Sequence, residues 1–213
     1  MGNTEGALEP MKVSTKQQQI AELASAHPER VFTSLHHYVD YEWLYRAYEQ
    51  TRKDGAVGVD CQTSEHYAEN LEENLKTLLD RLKSGKYQAP AIRRTYIPKG
   101  KGERRPLGIP TFEDKIAQRA IAMLLEPLYE QSFRNCSYGF RKGRSAHQAL
   151  RALRNHVMDS GSRWVIDVDI RKYFDSINHR HLRKALDQRV NDGVVRKLID
   201  LSLIHISEPT RPY

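Results

Sequence analysis

Hydrophobic positions recur along most of the chain at spacings that predict a helix-rich fold with a few short strands. Residues 1–30 are an exception. They are polar, rich in Gln, Glu, Ala and Ser, and read as a poorly ordered lead with one helix around Lys16–Ser25. Tyr41–Lys53 places Trp43, Leu44, Ala47 and Tyr48 on one helical stripe and stops before Asp54-Gly55. Tyr67–Ser84 carries Leu71, Leu75, Leu78, Leu79 and Leu82 at close to a 3.6-residue period, and Gly85 ends it. Core packing accounts for both stripes.

Ala91–Ile97 predicts a short strand, with a tight turn over Lys99–Glu103, where Gly100 and Gly102 relax the backbone limits. Arg104–Ile109 is the returning strand, and Pro106 fits an edge. Thr111–Glu113 then caps a long helix, Asp114–Gln131, whose apolar set is Ile116, Ala120, Ile121, Leu124, Leu125 and Leu128. Helices are also predicted over Ala146–Met158 and Arg180–Val190. Trp164–Ile170 is strand-like, with Val165, Asp167 and Asp169 on one face and Ile166, Val168 and Ile170 on the other.

Charge changes the picture because it is uneven. The 213 residues carry 34 Lys plus Arg against 27 Asp plus Glu, a net +7. Ala91–Arg154 alone holds 14 cations against five acids, an excess of nine, so the remainder is acidic by two. Such a stretch fits a polyanion partner, and equally a solvated basic face. No apolar run approaches the ~20 residues of a membrane-spanning helix. Cys61 and Cys136 are too few for a disulfide framework or a Cys-based zinc site. A reducing, cytoplasmic setting is expected.

The chemistry concentrates at Trp164–His179. A carboxylate face over an apolar face is one way for a sheet to present oxygen ligands to a hard cation such as Mg²⁺. Two acids on a half-exposed edge strand would look the same. Asp169-Ile170-x-x-x-Phe174-Asp175-x-Ile177-x-His179 resembles the first catalytic motif of group II intron reverse transcriptases. Arg105-Pro-Leu-Gly-Ile-Pro-Thr-x-x-Asp114-Lys115-x-x-Gln118 resembles the fingers segment of that family, with Lys115 where the family usually has Arg. Tyr138-Gly-Phe-Arg-Lys-Gly-Arg144-Ser-Ala-His147, Gly55-x-x-Gly58-Val-Asp60 and Tyr96-Ile-Pro-Lys99 also match in order. The resemblance covers roughly Arg30 to Asp200.

It implies an α+β fold of right-hand polymerase type. Residues 31–90 would be a helical extension, 91–160 the fingers, and 161–200 the start of the palm with the first catalytic aspartate. The activity implied is RNA-directed DNA synthesis, with a maturase role in splicing and mobility of the intron RNA. Partners would be intron RNA, an RNA template, a DNA or RNA primer and dNTPs. Two Mg²⁺ ions would serve the intact enzyme. Asp169 matches the metal-binding aspartate, assisted by the Ile170 carbonyl. Lys99 and Arg105 match residues that hold the triphosphate, and Phe174 the gate against a ribose 2′-hydroxyl. Arg141 and Arg144 match contacts to nucleic acid. Two rivals are a non-catalytic RNA-binding maturase-like protein and a retron or CRISPR-associated reverse transcriptase.

The family's second metal element, an aromatic-Ala-Asp-Asp turn, is not found in these residues. A fragment inactive alone, from a prokaryotic host, is the expectation. Residues 201–213 contain LSLIHISEPTR, which reads like a translated sequencing adapter. The biological sequence is expected to end near Asp200.

Overall fold

The structure, a computed structural model, describes residues 9–100, 103–170 and 173–207. Helix α1 spans Glu9–Ala26 and α2 Tyr41–Gln50. Asp40 caps α2 by accepting from the Trp43 amide at 3.0 Å. Next come α3, Ser64–Ala68, and α4, Leu71–Lys83. Strands β1, Arg93–Gly100, and β2, Glu103–Ile109, form an antiparallel pair. Helix α5, Phe112–Glu130, follows, capped by the Thr111 hydroxyl. Then come α6, Ala146–Ser160; α7, Tyr173–Ser176; α8, His179–Asp187; and α9, Gly193–Ser207.

Helix α5 is the centre of the core. Ile116, Ala120, Met123, Leu124 and Leu128 are buried on it, and α1, α2, α3 and α9 pack around it. Trp43 of α2 is fully buried and its indole N–H donates to the Ala120 carbonyl at 3.0 Å. From α4, Leu75, Leu78 and Leu82 join the same cluster. Beneath it lies a polar network: the Tyr87 hydroxyl donates to Asp114 at 2.7 Å, and the Gln118 amide at 2.8 Å. Burial, with the Asp114 carboxylate beside it, pushes the Tyr87 phenol well above its ordinary range.

Several expectations are corrected. The helix expected around Lys16–Ser25 extends over Glu9–Ala26, and its buried Val13, Ile20 and Ala24 pack a segment expected to be a loose lead. The leucine helix is two helices, interrupted at Glu69 and Asn70, with the Asn74 side chain donating to the Tyr67 carbonyl at 2.9 Å. Trp164–Ile170 forms no strand. A strand is held by a ladder to a neighbour, and the sheet among the described residues has two members, β1 and β2. Trp164, Ile166 and Val168 are each at least 80% exposed, and α6 has no buried residue. Helix α9 runs unbroken across residue 200. Residues 208–213 of the expected adapter-like tail lie outside the described residues.

Asp192 locks the segment before α2 to the start of α9. Phe32 and Val190 form a parallel bridge. The buried Asp192 carboxylate accepts from the amides of His36, Val194 and Val195 at 2.8–3.1 Å and contacts the His36 ring at 2.9 Å. Burial raises its pKa, but these donors outweigh burial and hold it below the usual value. A depressed carboxyl stabilises the fold above its unfolded value near ~4, and that contribution is lost as pH falls through the folded value. Asp192→Asn turns an amide donor toward donors and is expected to cost about 1–3 kcal/mol at pH 7. In thermal unfolding, the gap to the unaltered protein should narrow below pH ~4. A gap independent of pH would remove Asp192 from the acid response.

Candidate nucleic-acid interface

The hairpin has two faces, set by its register. Arg93 lies opposite Ile109, Thr95 opposite Leu107 and Ile97 opposite Arg105, and these six share one face. Ile109 is buried at its base, and Leu107 and Ile109 line an open cleft of about 590 Å³. The face bearing Arg105 therefore turns toward the cleft. Its other walls are the Gly55-Ala56 loop after α2 and one side of α5. Lys115 and Arg119 supply positive charge, Arg52 an exposed guanidinium that shares two of its nitrogens with Asp54 at 2.5 and 2.9 Å and keeps Nη1 toward solvent, and Gln118 a neutral donor and acceptor.

Gly58 fixes the loop. A Cβ there would stand 2.6 Å from the Thr111 Cα and 2.8 Å from its nitrogen, so only glycine lets the loop reach the start of α5. Lys115 ties the same two parts by donating to the Ala56 carbonyl at 2.6 Å. Burial holds its amine below the ordinary lysine value, partly offset by Asp60. On the far side of the loop, Lys53 donates to the Tyr48 carbonyl and lies 3.1 Å from the Tyr48 ring centroid. Burial brings that amine down to about 8.

Arg105 stands exposed on the cleft face. The backbone of Lys99 lies near the end of β1 and that of Phe174 in α7, while both side chains lie outside those described. Asp169 and Ile170 sit in the exposed, non-helical stretch before α7. No hydrogen bond or ion pair among the described residues joins Asp169 to the hairpin. The Asp169 carboxylate and the Ile170 carbonyl are hard oxygen donors of the kind Mg²⁺ takes. Among the described residues, no group of three acid, His or Cys side chains is gathered to complete such a set.

Arg141 departs from expectation. Its side chain is 6% exposed and its guanidinium is committed to Glu130, with Nη2 donating at 2.5 Å, and to the carbonyls of Ser137 and Arg134 at 2.7 and 2.9 Å. A fork so engaged organises its own loop and has little left for a phosphate. Arg144 is less constrained: it reaches the Asn135 carbonyl at 3.4 Å and lies 5.4 Å from the Tyr138 ring centroid. Asp114 and Gln118, both in the fingers motif, serve the buried network. Sequence reasoning overlooked Arg52 and Arg119 in the cleft. The signal was there for Arg119, since Lys115 and Arg119 are four apart on one helix and so share a side. Arg52 lies outside the basic stretch and had none.

The profile of a family described as reverse transcriptase (RNA-dependent DNA polymerase) matches residues 97–208. Protein YkfC of Escherichia coli (strain K12) is 40% identical over 190 residues, which is 86% of this chain and 50% of YkfC. The group II intron-encoded protein LtrA of Lactococcus lactis subsp. cremoris is 34% identical over 191 residues, 85% of this chain and 30% of LtrA. The nuclear intron maturase 1, mitochondrial, of Arabidopsis thaliana is 32% identical over 94 residues, 44% of this chain and 13% of that protein. The chain thus spans about half the length of YkfC and under a third of LtrA.

Proposed function

The chain belongs to the reverse transcriptase (RNA-dependent DNA polymerase) family, and from that premise we propose that it supplies the fingers and the start of the palm of a right-hand polymerase that copies RNA into DNA. Its similarity to group II intron-encoded proteins extends the proposal to binding an intron RNA and assisting its splicing, in the cytoplasm of a prokaryotic host. The observation that carries the reading is the basic hairpin turned over a cationic cleft.

Each residue has a task in it. The cleft holds the single-stranded template, with Arg52, Lys115 and Arg119 meeting its phosphates. Arg105 binds the triphosphate of an incoming dNTP with its two-pronged fork, and Lys99 adds a mobile charge. Asp169 and the Ile170 carbonyl would hold Mg²⁺, which would supply activation of the primer hydroxyl and offset phosphate charge. Phe174 packs against the sugar and repels a ribose by clashing with its 2′-hydroxyl. Arg144 contacts the template-primer. Arg141 is a positioning residue that shapes the loop carrying it.

Salt dependence tests the electrostatic core of this reading. If the cleft-side cations Arg93, Lys115, Arg119 and, with no dNTP bound, Arg105 each meet a phosphate, log affinity for single-stranded RNA falls with log salt at a slope of about −3. Binding then weakens roughly fifty-fold between 50 and 200 mM salt. Arg105→Ala should flatten the slope by about 0.7. Absence of RNA binding, or binding indifferent to salt, would sink the proposal.

A further inference from the structure

The other face of the hairpin has no part in that scheme. Tyr96 lies on it opposite Pro106, Pro98 opposite Arg104, and Arg94 opposite Gly108. Tyr96 is 56% exposed, and Pro98, Arg104 and Pro106 are exposed around it. At the base, Ile92 fills the place a side chain on Gly108 would take, its Cδ1 2.5 Å from the ideal Cβ position. The surface above Ile92 is therefore a flat patch of one aromatic ring and two proline rings, bordered by arginines.

Its chemistry narrows the occupant. Residues 93–109 carry six cations, Arg93, Arg94, Lys99, Lys101, Arg104 and Arg105, against one acid, Glu103. A polyanion is the complementary partner. Pro98 and Pro106 have no amide hydrogen to donate, so the ribbon is a poor template for an added strand. An exposed ring among arginines instead suits a nucleobase, which stacks on the ring while its phosphates meet the cations.

We propose that the outer face of the hairpin is a second nucleic-acid contact, where a base of a single-stranded RNA segment stacks on Tyr96 and Pro106 and its flanking phosphates meet Arg94 and Arg104. This segment is separate from the strand in the cleft, because the two faces point opposite ways across the sheet. The inference rests on the reading that nucleic acid meets this hairpin.

The test uses the 213-residue chain with two probes, a 12-nucleotide oligoadenylate and an abasic strand of the same length. Tyr96→Ala is expected to weaken oligoadenylate binding at least about fivefold and leave the abasic strand unaffected. Tyr96→Phe should stay within about twofold for both, because the ring remains. Arg105→Ala, on the cleft face, should weaken both probes alike. Unchanged oligoadenylate binding by Tyr96→Ala, with the salt slope intact, overturns this inference alone. So does a Tyr96→Phe loss equal to that of Ala, which would make the hydroxyl the contact. Tyr96-dependent dimers in RNA-free solution would assign the face to a second copy and overturn it too. If the unaltered chain binds neither probe, the inference and the broader RNA reading fall together.

Discussion

Asp169→Asn, made in a chain continuing over the full length of its relatives, is expected to cut template-directed primer extension by on the order of 10³-fold. The substitution keeps the shape of the side chain and removes the charge that makes it a ligand for a hard cation. Asp169 is exposed and makes no hydrogen bond or ion pair among the described residues, so the folded state loses nothing that holds it together. The unfolding midpoint should therefore move by no more than a surface substitution moves it, within about 0.5 kcal/mol. Asp167→Asn is the matched control, a neighbouring carboxylate on the same exposed stretch, expected to cost far less. Primer extension at saturating Mg²⁺ with both variants decides the matter. Activity within tenfold of the unaltered enzyme for Asp169→Asn would take that residue out of the metal site.

Periodicity made most of the core legible. Stripes on α2 and α5 named Trp43, Leu44, Ala47, Ile116, Ala120 and Leu124, and all are buried. Helix α1 was legible only around Lys16–Ser25, and its burial not at all, because its stripe is sparse: Val13, Ile20 and Ala24 are interrupted by Gln17, which is polar yet turns inward to donate to the Met123 carbonyl at 3.0 Å. A polar side chain that finds a backbone partner can hold a core-facing position, and hydropathy cannot show the partner. Alternation at Trp164–Ile170 was legible too, but a strand exists through its ladder, and the partner is a property of the fold. The candidate site divides in the same way. Composition located the basic stretch, and the register of the hairpin then sorted its arginines onto two faces. The direction of Arg141 was hidden, because Glu130, eleven residues earlier, comes into reach only once the loop closes.

Trp43→Ala is expected to destabilise the chain by about 3–5 kcal/mol, the range for emptying a large aromatic site in a core. Trp43 is fully buried between α2 and α5, and the loss of its bond to the Ala120 carbonyl adds to the cavity. Trp43→Phe separates the two contributions. It keeps most of the ring volume and gives up the indole N–H, so its cost should be nearer ~1–2 kcal/mol. For a chain of this size, the larger loss lowers the unfolding midpoint by on the order of 10 °C. The consequence reaches the cleft, because Arg52 follows directly on α2 while Lys115 and Arg119 stand on α5. Loosening the α2–α5 contact separates the cations that would share a strand of RNA. Binding by Trp43→Ala should therefore fall as its unfolding range is approached and recover on cooling, whereas Arg105→Ala should weaken binding at every temperature. A Trp43→Ala protein that unfolds within about 1 kcal/mol of the original would show that this contact does not hold the cleft together.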